Sequence, residues 1–252
     1  MSEFAGRRAV ITGGGSGIGL AAAKRLAAGG ASVVLMGRKL DRLEEAANGI
    51  DGALAVQCDV TDAGSVEAAF AKAREGGAIN ILVNNAGIAS GRPFHKLDEA
   101  EWRRIQDVNV DGVFRCTKAV VGDLMSSDYG RVVNIASVAG LRGGPYISHY
   151  CASKHAVVGM TKALAVEWAQ TKVTVNAVCP GYVETDMAEG AIQTIMSNTK
   201  RSRDEAVAEL TKMNPQGRMI QVEEVAETVA WLCHPNSFTV NGQAIALDGG
   251  AP

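Results

Sequence analysis

The chain has 252 residues, of which 47% are hydrophobic and 21% charged, and its formal net charge is −2. This length and composition suit one α/β domain with a sizeable core, and the small net charge gives no general attraction to nucleic acids or anionic membranes. The first residues lack a signal-peptide pattern, and no apolar run reaches the roughly 18 residues of a membrane span, so we expect a cytoplasmic protein. The five cysteines are widely spaced without a Cys-x-x-Cys pair, which disfavours disulfides and a metal site.

Short apolar runs rich in β-branched residues alternate with longer helical patterns along the chain. The apolar runs cover 8–12, 32–36, 53–60, 79–85, 130–137, 173–181 and 244–250. The helical patterns cover 17–29, 39–48, 63–75, 98–125, 149–169 and 223–234. Continuously apolar strands are typical of a parallel sheet covered on both faces. Residues 1–252 are therefore predicted to form a single Rossmann-type α/β domain, a doubly wound parallel sheet of about seven strands.

Residues 184–216 break this alternation near the C-terminus. They are predicted to form one or two helices inserted after the sixth strand, and an insert at a strand end can act as a lid over substrate. The mixed-sign run KRSRDE at 200–205 is interpreted as a solvated helix turn, with contact to the phosphates of an acyl carrier as the alternative.

A glycine-rich turn, Gly13-x-x-x-Gly17-x-Gly19, follows the first strand and precedes a helix. Backbone N–H groups at such a helix N-terminus can bind a pyrophosphate, so the turn indicates a dinucleotide site although its spacing departs from G-x-G-x-x-G. The second strand ends at Gly37 and Arg38 without a carboxylate, which favours NADP(H) over NAD(H). The alternative for Arg38 is a solvated side chain without a ligand.

Polar and small residues end the next strands. Asp59 ends the third strand and could hold the adenine edge, and the small residues of the NNAG run at 84–87 would let a cofactor pass close to the backbone. Ser137 ends the fifth strand. Tyr150 and Lys154 follow in a helical pattern, one turn apart on the same face. All three side chains should converge at the crevice that the glycine turn predicts.

These motifs together resemble the short-chain dehydrogenase/reductase family over essentially the full chain. The resemblance rests on Thr12-Gly13-x-x-x-Gly17-Ile18-Gly19, Asp59, Asn84-Asn85-Ala86-Gly87, Asn109, Ser137, Tyr150-x-x-x-Lys154, Pro180-Gly181 and Thr185. The catalytic residues that it implies are Asn109, Ser137, Tyr150 and Lys154. The implied cofactor contacts are Gly13, Ser16, Gly17, Ile18, Gly19, Arg38, Asp59, Val60, Asn85, Ala86, Gly87, Tyr150, Lys154, Pro180, Gly181, Val183 and Thr185. The candidate substrate contacts are Ser137, Leu141, Tyr146, Tyr150, Tyr182 and Met187.

Reduction of a carbonyl group needs a hydride on carbon and a proton on oxygen. A nicotinamide carries the hydride, and Tyr150 can supply the proton. A free phenol has a pKa of about 10, which the Lys154 ammonium is expected to lower. Ser137 can donate a hydrogen bond to the substrate oxygen. In the family, Lys154 also binds the nicotinamide ribose, and Asn109 holds a water that links Lys154 to solvent.

The sequence is similar to β-ketoacyl and polyketide ketoreductases and to 3-hydroxyacyl dehydrogenases. It therefore predicts NADPH-dependent, reversible reduction of a ketone or β-ketoacyl substrate, which could be an acyl thioester. The alternatives are an NAD-dependent 3-hydroxyacyl or secondary-alcohol dehydrogenase and a non-enzymatic dinucleotide-binding regulator. The family implies a homotetramer. His149, His155 and Cys151 beside Tyr150 are interpreted as packing residues, with a place in the substrate pocket as the alternative for His149.

Overall fold

The structure, a computed structural model, describes residues 2–251. Its seven strands form one sheet in the order β3-β2-β1-β4-β5-β6-β7, and every neighbouring pair is parallel. The strands are β1 Arg8–Thr12, β2 Ser32–Gly37, β3 Leu54–Gln57, β4 Ile81–Asn84, β5 Gly130–Ile135, β6 Val173–Pro180 and β7 Ala244–Leu247. The predicted doubly wound parallel sheet is confirmed.

Helices cover both faces of the sheet, as parallel crossovers require. They are α1 Gly17–Ala28, α2 Leu40–Asn48, α3 Ala63–Arg74, α4 Glu99–Gln106, α5 Gly112–Ser126, α6 Ser148–Glu167, α7 Asp186–Thr199, α8 Arg203–Thr211 and α9 Val222–Cys233. The pattern at 98–125 predicted one helix, but a π turn at Asp107–Asp111 separates α4 from α5. Within that turn the N–H of Gly112 donates to the carbonyl of Asp107, five residues back.

Alternate residues of each central strand enter opposite halves of the core. Ile11 of β1 packs into a cluster with α1 and α9, whereas its neighbour Val10 packs into a cluster with α3 and α5. All residues of β5 and β6 are buried. Burial of both strand faces is the physical reason that these segments are continuously apolar in the sequence.

The strand order reverses between β1 and β4, so the crossovers on either side of this point run in opposite directions along the sheet. A crevice forms at such a point, outside the carboxyl ends of the strands. The segment predicted as an insert, 184–216, contains α7 and α8, which share a small apolar cluster of their own. None of the helices in the described chain is long and apolar enough to cross a membrane.

Candidate active site

The glycine turn after β1 adopts backbone conformations that other residues reach only with strain. Gly13 and Gly17 have φ angles of 64° and 52°, in the left-handed region. A Cβ atom on Gly19 would clash with the carbonyl oxygen of Gly13 and would lie 2.5 Å from Nδ2 of Asn85. The turn therefore requires glycine at three positions for packing as well as for access to a ligand.

Thr12 and Asn85 attach this turn to the end of β4. The Asn85 side-chain amide donates to the carbonyls of Thr12 and Gly13 at 3.0 and 3.1 Å. In return, the Thr12 hydroxyl accepts from the N–H groups of Asn85 and Ala86, both at 3.0 Å. The amide of Asn85 thus holds the glycine turn, and its predicted cofactor contact stays a prediction. Sequence reasoning gave Thr12 no separate role, although a hydroxyl among buried apolar strand residues was a usable signal.

The N-terminus of α1 offers N–H groups for an anion. First-turn N–H groups have no acceptor within a helix, and the side chain of the N-cap residue Ser16 accepts none of them. Thr185, the N-cap residue of α7, lies against the turn, because a Cβ on Gly17 would be 3.1 Å from its Cγ2 atom. Ile18 is partly buried against the core, and its predicted cofactor contact stays a prediction.

The ends of β2 and β3 form an open pocket with one cation and one carboxylate. Arg38 and Asp59 line it with Gln57, Ser65 and Ala68. Asp59 Oδ1 accepts two hydrogen bonds from Thr61, and these, with a smaller contribution from Arg38, lower the pKa of Asp59. Arg38 is exposed, and its side chain makes no hydrogen bond or ion pair with another residue of the 2–251 range. Val60, the next residue after Asp59, is buried.

Ser137, Tyr150 and Lys154 come together at the end of β5. Ser137 lies two residues after β5, and its hydroxyl lies close enough to Tyr150, near the start of α6, to lower the pKa of that phenol. The Lys154 ammonium donates to the carbonyl of Ile135 at 2.8 Å and lies 5.7 Å from the centre of the Tyr150 ring. The structure therefore places the three predicted side chains in one cluster.

Burial dominates the ionisation of this cluster. It raises the pKa of Tyr150 to about 12, against a smaller lowering by the Ser137 hydrogen bond. It also lowers the pKa of Lys154 to about 8. The sequence predicted that Lys154 would lower the pKa of Tyr150. In the folded chain the loss of solvent has the largest effect on the pKa of Tyr150, because a low-dielectric site disfavours the charged phenolate.

Asn109 is buried within the π turn, and its amide is fully engaged. Its Oδ1 accepts from the N–H of Ile88 at 2.9 Å, and its Nδ2 donates to the carbonyl of Ile88 and to Ser153. A Cβ on Gly87 would lie 3.4 Å from Asn109 Oδ1 and 3.7 Å from Lys154 Nζ. Asn109 thus lies beside Lys154 and fixes the chain after β4, while its link through water to Lys154 stays a prediction.

The turn after β6 lies beside the cluster of Ser137, Tyr150 and Lys154. Ser137 Oγ donates to the carbonyl of Pro180 at 3.4 Å, and the N–H of Gly181 donates to the carbonyl of Leu247 in β7. Val183 is buried and forms an isolated bridge with Ile220. These contacts place the predicted 180–185 segment next to the Ser137–Tyr150 pair.

The candidate substrate contacts are large apolar residues that the fold leaves exposed. Leu141, Tyr146, Tyr182 and Met187 are each at least 41% exposed. Tyr146 also has a φ of 65°, which is strained for an aromatic residue and is often found at functional sites.

The charged run at 200–205 forms ion pairs on the protein surface. Arg201 pairs with Glu209 and Arg203 pairs with Glu189, which agrees with the interpretation of this run as solvated. In the described chain, no group of three or more potential ligands is placed to hold a metal ion.

Comparison with known proteins identifies the family. The family model described as short chain dehydrogenase matches residues 7–196. A Streptomyces coelicolor protein named as a ketoacyl reductase is 41% identical, covering 96% of this chain and 95% of its own. Galactitol 2-dehydrogenase (L-tagatose-forming) of Cereibacter sphaeroides is 38% identical, covering 97% and 94%. The crystal structure of a variant actinorhodin polyketide ketoreductase with NADPH superimposes with a TM-score of 0.93 at 40% identity, covering 97% and 96%.

The chain belongs to the short-chain dehydrogenase family, as its motifs predicted. It is an oxidoreductase that acts on alcohol or carbonyl groups, and the regulator alternative is not retained.

Proposed function

We propose that the protein is an NADPH-dependent reductase of ketones or β-ketoacyl compounds, working reversibly between a ketone and a secondary alcohol. The observation that carries the proposal is the cluster of Ser137, Tyr150 and Lys154 at the carboxyl end of β5, with Lys154 Nζ 5.7 Å from the centre of the Tyr150 ring. A ketoacyl reductase and a polyketide ketoreductase among the relatives support the substrate class, which could include acyl thioesters.

Tyr150 is the proposed proton donor to the substrate oxygen. Its raised pKa keeps the phenol protonated near neutral pH, which is the form that reduction consumes. Ser137, which lies close to that phenol, can donate to the same substrate oxygen and hold it within reach. As the phenol loses its proton, the nearby Lys154 ammonium stabilises the phenolate. Asn109 positions the chain beside Lys154 through Ile88.

The crevice fits a dinucleotide. The uncapped N-terminus of α1 suits the pyrophosphate, Asp59 Oδ2 can accept from the adenine amine, and Arg38 lies where a ribose 2′-phosphate would need a cation. When bound, the nicotinamide supplies the hydride. Lys154 and the 180–185 turn are the proposed contacts for its ribose and ring.

The test is a panel of ketones and β-ketoacyl thioesters assayed with NADPH and with NADH by the loss of reduced-nicotinamide absorbance. Tyr150→Phe should lower kcat by about a hundredfold or more. The matched control is Tyr129→Phe, which removes a hydroxyl bonded to Cys233 far from Ser137 and should change kcat less than about twofold. Full activity of Tyr150→Phe would disprove the proposed chemistry.

A second candidate is an NAD-dependent dehydrogenase of secondary alcohols or 3-hydroxyacyl compounds. The 38% identity with galactitol 2-dehydrogenase favours it. The two candidates differ in cofactor and direction: faster alcohol oxidation with NAD than ketone reduction with NADPH would favour the dehydrogenase. That result would also contradict the role given to Arg38.

We further propose that the protein is a homotetramer, assembled through α4, α5 and α6. Supporting observations are the exposed apolar side chains Phe114 of α5 and Val166 of α6, at 52% and 79% exposure. Sedimentation velocity should give the mass of four chains, and a monomer at micromolar concentration would contradict this assembly.

A further inference from the structure

The loop at 88–92 runs along the substrate end of the site. Its first residue, Ile88, is bonded to Asn109 next to Lys154. At its other end, the N–H of Arg92 donates to the carbonyl of Tyr146 at 2.7 Å. The loop thus joins the catalytic lysine to the exposed, strained Tyr146, and a shift of its backbone would move that tyrosine.

Glu101 of α4 holds this loop at two points. One of its carboxylate oxygens accepts from the Ser90 hydroxyl, and the other lies 3.3 Å from the Arg92 guanidinium. The Glu101 side chain is only 15% exposed, so these charged contacts are less screened than a surface pair. The Ser90 bond is the main reason that the pKa of Glu101 is lowered.

His149 of α6 supports Ser90 from the opposite side and precedes Tyr150 in the chain. Its Nε2 atom is 2.8 Å from Ser90 Oγ. Because the serine proton is directed to Glu101, Nε2 must carry the proton that bonds to Ser90, so Nδ1 is bare. Nδ1 is buried and has no partner within residues 2–251. A second proton there would be an unpaired buried donor, which favours the neutral ring. Burial lowers the pKa of His149, and the positive charges of Arg104 and Arg92 lower it further, whereas Glu101 raises it.

We propose that Glu101 and His149 are positioning residues for the carbonyl substrate. Acting through Ser90 and Arg92, they fix the 88–92 loop and the backbone of Tyr146 beside Tyr150. This inference rests on the proposed function and adds a determinant of substrate binding to it. The proposed pyrophosphate site depends on a separate set of bonds, those between Thr12, Asn85 and the glycine turn. The two ends of the site should therefore respond differently to substitution.

Steady-state kinetics of matched variants tests the proposal. Ser90→Ala and Glu101→Gln should each raise KM for the carbonyl substrate about tenfold, while kcat and KM for NADPH stay within about twofold. Ser90→Thr keeps the hydroxyl and should restore a near-normal KM. The control is Glu99→Gln, the same change on the same helix at an exposed carboxylate that pairs only with Arg103 in the described chain, and it should leave all three constants unchanged.

Amide exchange measured by NMR on the unaltered protein and these variants gives a readout that does not need turnover. The Arg92 N–H should exchange about tenfold faster in Ser90→Ala and Glu101→Gln than in Glu99→Gln. An unchanged carbonyl KM, or equal rises in the KM values for substrate and NADPH, would overturn the positioning role. Unchanged Arg92 exchange would overturn the loop contacts themselves. A wild-type protein that reduces no carbonyl compound would instead contradict the proposed function, and the exchange data would still decide the role of the loop contacts.

Discussion

Lys154 carries a charge whose burial should destabilise the fold, and replacing it tests that cost. The side chain is 6% exposed and burial lowers its pKa from 10.5 to about 8. This difference corresponds to about 3 kcal/mol of folding free energy lost while the lysine is charged in both states. Lys154→Met removes this cost but leaves the Ile135 carbonyl without its donor, which costs about 1–3 kcal/mol. The two terms nearly cancel at pH 7, so stability at one pH is uninformative.

The pH dependence separates the two terms. Below pH 8 both folded and unfolded chains bind the Lys154 proton and the full penalty is present. Between pH 8 and 10.5 the unfolded chain binds more protons, so the stability of the wild type rises with pH. Relative to Lys154→Met, the wild type should gain about 2 kcal/mol between pH 7 and pH 9.5.

Urea unfolding at several pH values measures this gain, at one protein concentration and without added nucleotide. Lys162→Met is the matched control, because Lys162 is exposed on the same helix, and its stability should run parallel to that of the wild type. A constant difference between wild type and Lys154→Met, within about 0.5 kcal/mol over this pH range, would refute the burial argument. The expected result would mean that the fold tolerates an unfavourable buried charge at Lys154, as is common at functional sites.

Three further predictions follow from the site. Thr12→Val should lower the free energy of unfolding by about 2–4 kcal/mol, because the N–H groups of Asn85 and Ala86 lose their acceptor. Thr12→Ser keeps the hydroxyl and should lower the free energy of unfolding much less, so equal losses in the two variants would contradict this reasoning. Arg38→Glu should raise KM for NADPH at least about tenfold and leave KM for NADH within about threefold, and an unchanged preference would remove Arg38 from the cofactor site. Alcohol oxidation needs the Tyr150 phenolate, so the kcat/KM for alcohol oxidation should keep rising with pH through about pH 9. A plateau below about pH 8 would mean that the pKa of Tyr150 during catalysis is far lower than about 12.

Much of the fold and the identity of the site residues could be predicted from the sequence because the relevant signals are local. Burial on both faces makes a strand continuously apolar, so all seven strands were found near their observed positions. Tyr150 and Lys154 share a helix face by their spacing alone. The family resemblance, which the comparisons confirm, depends on such local motifs placed in order along the chain.

Other features depend on contacts between segments far apart in the chain, which no spacing rule gives. The pairing of Thr12 with Asn85, the bonds of Asn109 to Ile88 and the two contacts of Glu101 are of this kind. The π turn that divides the predicted helix 98–125 is another feature that the apolar pattern could not reveal.

The sequence by itself therefore determined the sheet and the family, and it predicted which side chains react. Only the tertiary structure decided the protonation states of these side chains and the contacts that hold them in place. The pKa of Tyr150 depends on how much protein surrounds the phenol, and in the folded chain burial has the largest effect on it. The same holds for His149, which the structure buries completely: its Nε2 atom contacts Ser90, and its Nδ1 atom has no partner among the described residues.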